Sequence, residues 1–419
     1  MKPSTLTTAC PSLSPRASPR ALLLALSFIF SLSSFISSAA PLSLLWDAAP
    51  FQSCFVNHGG YGRVKRLSNG ELAFIYSTGP VGDTAVFIRK KKSAADPAWG
   101  EPIRVATPPK PASPAQKNPD YRYVNSEMTE LADGRLFYTW NARPVVRDGH
   151  LPYKIMGAFS SDGGASWGAG RDLYLAGNTY RTGCWEPFPI EIPAGGPFSK
   201  GELQVWFSDE STTPHGDQNI TVLRSRDNGA SWLKPAVACY RKGWRDGMPV
   251  PVLLQNNKGL VFSIEDNRGP HHRFNPAIIR PLFDGEWHGA VDADSPRRWS
   301  ALAAPPSPPD AYLGAPYLIQ LDSGETVLSC QSTENRFRDP QKHHLYASLR
   351  VYVGDENARN FANPTTPFPD LPPDANALWN SICQIDHDTL VAVADIKGLP
   401  KNNGLYIATA KILRPQKHP

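Results

Sequence analysis

A hairpin signature returns at a nearly constant interval through this chain of 419 residues, and that spacing limits the folds open to it. Each copy is an apolar stretch of alternating pattern, a tight polar turn and a second apolar stretch. The copies run over Arg63–Ser77, Glu127–Asn141, Glu186–Asp209, Met248–Asp266, Ala315–Ser332 and Trp379–Asp395. Their turns, at Gly70, Gly134, Gly201, Gly259, Gly324 and about Asp388, stand 64, 67, 58, 65 and 64 residues apart. A lone hairpin cannot bury its apolar face. Six units of about four strands, stacked radially, can. The expected fold is therefore all-β, a six-bladed β-propeller over residues 41–419. The turn glycines are expected at positive φ, which glycine takes at little steric cost. The Pro-rich stretches Thr107–Pro119 and Pro305–Pro309 fall within the repeat spacing and read as loops between blades.

A second motif is phased with the first. Ser160–Trp167 (SSDGGASW) and Ser225–Trp232 (SRDNGASW) share the pattern SxDxGxSW and lie 65 residues apart. Degenerate copies sit at Asp96–Trp99 and Asp284–Trp287. In such a turn the Asp accepts backbone N–H groups, the Gly takes the left-handed conformation and the Trp packs between sheets. These residues mark a fold and carry no chemistry. The two good copies resemble the Asp-boxes, or BNR repeats, of the sialidase superfamily. The resemblance spans about residues 45–415 and implies a six-bladed propeller, in agreement with the hairpin count. That superfamily holds sialidases, other glycosidases, lyases and non-catalytic proteins, so the motif speaks to fold and not to activity.

In a propeller the first strand of each blade lines the central channel. Residues at its start and at the end of the second strand converge on one mouth. The starts are Tyr61/Arg63, Asn125/Glu127, Trp185/Glu186, Arg245/Asp246, Tyr312/Tyr317 and Trp379/Asn380. The ends are Ser77, Asn141, Asp209/Glu210, Glu265/Asp266, Glu334 and Asp395. The set is acidic and aromatic, which suits acid–base work on glycosidic bonds and stacking on sugar faces. Glu186-Pro187-Phe188 opens one blade, Asp246-Gly247-Met248-Pro249 opens the next, and Glu265 ends its second strand. This resembles glycoside hydrolase family 93, the exo-arabinanases of the same superfamily. The resemblance implies a retaining mechanism with a Glu pair, read here as Glu186 nucleophile and Glu265 acid/base, with Glu127 in reserve. The expected substrate contacts are Arg63, Tyr61, Trp185, Asp246, Tyr317, Trp379 and Asn380, with His58, His271 and His272 in nearby loops.

Two further readings stay open. One is a carbohydrate- or protein-binding propeller without catalysis. The other is an exo-α-sialidase, which resembles a site with three Arg on the substrate carboxylate and a Tyr nucleophile. Arg63 occupies the first Arg position, and Arg268, Arg273, Arg336 and Arg338 are candidates for the others. The last blade opens Trp379-Asn380-Ser381 where that Tyr would stand.

Charge sets the remaining limits. The formal net charge is +5, but residues 1–40 contain Lys2, Arg16 and Arg20 and no acid. The remaining 40 basic and 38 acidic residues leave +2, which gives no footprint for nucleic acid. The run Arg89–Lys92 reads as a solvated strand end. Residues 1–40 read as a secretory signal, with an apolar Ala21–Ile36 and small residues before position 41. A transit peptide or an uncleaved membrane anchor are the alternatives. The expected protein is a secreted monomer that acts on a glycan, with no metal site, no cofactor and no other membrane span. Five cysteines remain, Cys54, Cys184, Cys239, Cys330 and Cys383, enough for one or two disulfides. Asn219-Ile220-Thr221 is a glycosylation sequon.

Overall fold

A computed structural model describes residues 42–47, 53–78, 85–110, 119–268, 273–336, 346–399 and 403–415. The signal-like segment therefore lies outside the described residues. The strands form six antiparallel sheets arranged as six blades in a ring. Blade one is Gly60–Arg66, Leu72–Ser77, Val86–Lys91 and Ile103–Ala106. Blade two is Tyr121–Glu130, Leu136–Pro144, Lys154–Ser160 and Arg171–Leu175. Blade three is Cys184–Ile192, Glu202–Asp209, Asn219–Ser225 and Ala236–Cys239. Blade four is Asp246–Leu254, Gly259–Asp266, Asn275–Ile279 and Arg298–Ser300. Blade five is Leu313–Gln320, Thr326–Ser332, Ser348–Gly354 and Ala362–Thr365. Blade six is Asn376–Asp386, Thr389–Lys397 and Gly404–Leu413, completed by Ser43–Trp46 from the other end of the chain.

That last pairing closes the ring. Ser43 to Trp46 run antiparallel to Leu413 to Ala410, so the two ends of the chain share one sheet. Neighbouring blades touch all the way round, and blade six meets blade one through Asn376–Asp386 and Gly60–Arg66. No sheet could keep its faces dry alone. Leu67, Ile75 and Ile88 of blade one, for example, pack with Tyr138, Trp140 and Met156 of blade two. Trp206 of blade three packs on Phe262 of blade four. The core is thus a set of wedges between blades, each built from alternating strand residues.

The turn prediction holds for four glycines. Gly70, Gly134, Gly259 and Gly324 have φ of 84°, 82°, 85° and 108°. Gly201 does not; its turn is longer, and a Cβ there would stand 2.8 Å from the Ala194 amide. Close backbone approach, not left-handed φ, requires glycine at that position. The two SxDxGxSW turns are built alike. Ser160 Oγ accepts the Gly164 N–H at 2.8 Å, and Asp162 accepts the Ser166 N–H at 2.9 Å. Ser225, Gly229, Asp227 and Ser231 repeat this at 2.8 and 2.8 Å.

Two expectations change. Cys184, Cys239, Cys330 and Cys383 are all free thiols, and the side chain of Cys54 lies outside those described. The Asn219 side chain is buried and bonded to Thr212 Oγ1 and Thr221 Oγ1 inside blade three, so the sequon offers no accessible amide. The basic run is structural: Lys90 pairs with Glu71 at 2.6 Å and Lys91 caps the carbonyls of Ala94 and Asp96.

Candidate active site

The channel-lining strand of every blade carries one extra residue. Pairing with the second strand slips between Gly60 and Arg63, Val124 and Glu127, and Trp185 and Phe188. It slips again between Gly247 and Val250, Gly314 and Tyr317, and Leu378 and Ser381. The first inserted residue is left-handed in all six blades: Tyr61 (φ 58°), Asn125 (55°), Glu186 (50°), Met248 (53°), Ala315 (47°) and Trp379 (51°). None is glycine, and each costs about 1–3 kcal/mol of backbone strain. Bulges re-aim side chains and concentrate beside functional sites. Here six of them build one ring at the channel mouth.

Tyr61, Met248, Ala315 and Trp379 pack together as an apolar plug. Below it lies a cavity of about 10 Å³, hardly room for one water. Two residues further along the strands sits a polar layer. Arg63 stacks 3.7 Å over the Tyr61 ring, donates to the Trp379 carbonyl at 2.9 Å and pairs with Glu127 at 3.5 Å. Lys65 pairs with Glu127 at 2.9 Å. Lys65 also donates to the Tyr317 hydroxyl at 2.9 Å, and Tyr317 donates to Glu127 at 3.0 Å.

The expected site residues Arg63, Glu127, Tyr317 and Asn380 line this small cavity together with Glu186, under the plug. Glu127, Arg63 and Tyr317 are buried beneath it and satisfy one another. Asn380 is buried as well, donating to the Ala315 carbonyl at 2.9 Å. Asp246 lies inside blade four, gripped by both amino groups of Arg298 and approached by the Cys239 thiol at 3.4 Å. Strand alternation turns it away from the channel. Trp185 is packed edge-on against Tyr153 at 4.9 Å. These six are held by protein partners. His58 is an exposed loop residue, while His271 and His272 fall outside the described residues.

What remains at the mouth is a group of carboxyls with two guanidiniums. Glu186 Oε1 accepts from Asn125 at 3.2 Å and Arg143 at 3.4 Å. Burial pushes the Glu186 carboxyl up to about 7, opposed by Arg143 and reinforced by Glu265 and Glu210. Glu265 Oε2 accepts the Ala315 N–H at 2.8 Å. Burial raises its pKa too, against that hydrogen bond and Arg245. Glu210 is buried with Arg245 at 2.6 Å and Gln218 at 3.0 Å. A Cβ at Gly247 would stand 2.7 Å from Gln218 Oε1 and 3.0 Å from Glu265 Oε1, so the glycine makes room for both.

Glu265 also has a structural counterpart in neighbouring blades. The bulge N–H groups of Met248 and Trp379 are taken by Ser208 and Gln331, which occupy the register position that Glu265 fills in blade four. Only one Glu265 oxygen is committed to this clamp. Arg143 and Gln218 were not singled out in the sequence. Arg143 lies two residues past Asn141 on the same strand, and strand periodicity could have flagged it.

The arginines of the sialidase pattern have other employment. Arg336 donates to the carbonyls of Tyr346, Leu371, Pro372 and Ala375. Arg268 is exposed and pairs with Asp294 at 3.3 Å, and Arg338 lies outside the described residues. A larger cleft of about 750 Å³ beside blade four holds Arg241, Asp266 and Arg298. Those charges already pair with each other and with Asp246, so the cleft has no free chemistry to match the mouth. Among the described residues no group of three His, Cys, Asp or Glu could hold a metal ion, and no helix is long and apolar enough to cross a membrane.

No protein-family model and no curated protein matches the chain. Solved structures do. A protein of unknown function from Dyadobacter fermentans is 12% identical, with a TM-score of 0.61 over 88% of this chain and 98% of that one. The GH93 α-L-arabinofuranosidase of Fusarium graminearum, solved with arabinobiose, is 17% identical, with a TM-score of 0.60 over 88% and 98%. The NanB sialidase of Streptococcus pneumoniae is 13% identical, with a TM-score of 0.56 over 91% and 72%. At these identities the likeness is one of fold, and the chain has the sialidase-like six-bladed propeller that family 93 enzymes and sialidases share.

Proposed function

We propose that the protein is a secreted, monomeric, exo-acting glycoside hydrolase that works with retention through Glu186 and Glu265. What supports the reading is that Glu186 sits in the ring of left-handed bulge residues, feels the charge of Glu265 and is held near neutrality, while Glu265 accepts the N–H of the bulge residue Ala315. A retaining glycosidase needs one protonated and one ionised carboxyl about 5–5.5 Å apart. Glu186, raised to about 7, suits the proton donor, since a catalytic acid works best with a pKa near the operating pH. Glu265 accepts a backbone N–H, which favours its ionised form, and keeps Oε1 free. This reverses the order of roles read from the sequence.

In the first step Glu186 protonates the leaving oxygen while Glu265 attacks the anomeric carbon. In the second Glu186 takes a proton from water, which displaces Glu265. The plug residues Tyr61 and Trp379 form the apolar floor under the sugar, and Arg245 and Arg143 offset the negative charge of the carboxyl group. The test is hydrolysis of arabinan oligomers and other exo-substrates by wild type, Glu186→Gln and Glu265→Gln. Both variants should lose at least about a thousandfold in kcat/KM; activity that survives Glu186→Gln overturns the assignment. Azide should rescue Glu186→Ala to a product of retained configuration and Glu265→Ala to an inverted one, and the converse result overturns the role order.

A further inference from the structure

Beside Glu186 the second blade gathers positive charge without matching negative charge. Arg122 and Arg143 face each other in the register of the first two strands of blade two. Arg147 lies in the loop after the second strand and stacks 4.9 Å over the Tyr180 ring. Arg143 stacks 4.7 Å over the Trp185 ring, and the rings of Tyr180 and Trp185 are 5.1 Å apart. Burial lowers the pKa of Arg122, and the nearby charges of Arg143 and Arg147 lower it further. Arg143 donates to Asn141 Oδ1 at 2.6 Å and has Glu186 at 3.4 Å, so the donors without acceptors are those of Arg122 and Arg147. Among the described residues neither Arg122 nor Arg147 has a hydrogen bond or ion pair, and Arg122 is half-buried.

The aromatic surroundings point the same way. Tyr153 lies among the same three arginines, and its buried hydroxyl has no partner. Tyr180 is 55% exposed and forms an open aromatic wall. By contrast, Arg298 has an acid partner and Arg336 has carbonyls. Arg147 is exposed and Arg122 and Arg143 are half-buried, so like charges gathered here favour an anion that joins them, and guanidinium forks fit oxyanions. Donors without acceptors, next to a stackable ring, describe the complement of a charged sugar.

We infer that Arg122, Arg143, Arg147, the Tyr153 hydroxyl and the Tyr180 face form a subsite for an anionic group, carboxylate or sulfate ester, carried by the glycan bound at the mouth. This rests on reading the mouth as a glycan site but not on catalysis there. It sets the substrate class as an acidic glycan and not a neutral one. It also uses none of the arginines of the sialidase pattern.

The experiment is calorimetric titration of the full chain with short oligosaccharides in three forms: uronate-terminated, sulfated and neutral. Inorganic phosphate is the fourth arm. One acidic form should bind at least about tenfold more tightly than the neutral form, the worth of a single charge-assisted contact. That preference should fall with rising salt and disappear in Arg122→Gln and in the double variant Arg122→Gln/Arg147→Gln. The preferred form identifies the anion. Arg171→Gln, an exposed arginine on the outer strand of blade two, controls for net charge and should keep the preference. Equal affinity for neutral and acidic forms overturns the inference, as does an undiminished preference in a folded Arg122→Gln protein. Phosphate that binds as tightly as the acidic sugar also overturns it. If no glycan is hydrolysed while the acidic preference persists, the enzymatic reading fails and the subsite stands.

Discussion

Glu127 offers the sharpest test of the distinction between mouth and plug. Its carboxylate is 1% exposed and meets Lys65 at 2.9 Å, the Tyr317 hydroxyl at 3.0 Å, the Met128 N–H at 2.9 Å and Arg63 at 3.5 Å. Replacement by Ala removes four contacts and leaves the Arg63 charge buried with no acid. Breaking a buried ion pair from one side costs about 3–5 kcal/mol. Unfolding entropy near 2.1 cal/mol/K per residue gives roughly 0.8 kcal/mol/K for a chain of this size, so Tm should fall by about 4–6 °C. Glu127→Gln keeps the shape and some hydrogen bonding and should cost less. Combining Glu127→Gln with Lys65→Met should cost less than the sum of the two single changes, because each alone strands the other's charge. The assays are scanning calorimetry and a double-mutant cycle, run beside kcat/KM. If Glu127→Gln keeps its Tm but abolishes turnover, the carboxylate acts on substrate, and the division at the plug is refuted.

Other outcomes follow from the same geometry. Because the folded Glu186 carboxyl titrates near 7, above its unfolded value of 4.5, burial penalises its charged form. Its favourable share of stability is complete below about pH 4.5 and is lost as pH rises through 7, so Glu186→Gln should raise Tm at pH 8 and not at pH 4. The gain at pH 8 is up to about 3 kcal/mol. The same group as proton donor makes activity fall as pH rises through about 7, a limb visible in the kcat/KM profile. Gly247→Ala would press a methyl against Gln218 and Glu265, and should lower kcat/KM at least about tenfold while the circular dichroism spectrum stays unchanged. Asp227 holds Ser231 and has its carboxyl lowered to about 2. Asp227→Asn should lower Tm at neutral pH without touching activity, with the difference vanishing as pH drops through 4 towards 2.

The sequence by itself determined the ring. Alternating apolar residues demand a partner for every hairpin face, and a period near 64 residues repeated through the chain leaves a propeller as the way to supply six of them. It also brought Glu186 and Glu265 to one mouth, since both stand at fixed positions on their hairpins. Two things were beyond its reach. Closure of blade six by Ser43–Trp46 pairs residues some 370 apart, for which four residues carry no local signal. The placing of Glu127, Arg63 and Tyr317 below the bulge ring depends on one inserted residue per strand, whereas Asp246 precedes its bulge and is turned away by strand alternation. A single bulge reverses which side chains face the axis. Its left-handed residues, Tyr61, Asn125, Glu186, Met248, Ala315 and Trp379, share no side-chain chemistry from which the conformation could be read. Packing across the axis holds all six in that strained form, and packing is a property of the assembled ring and not of any one hairpin.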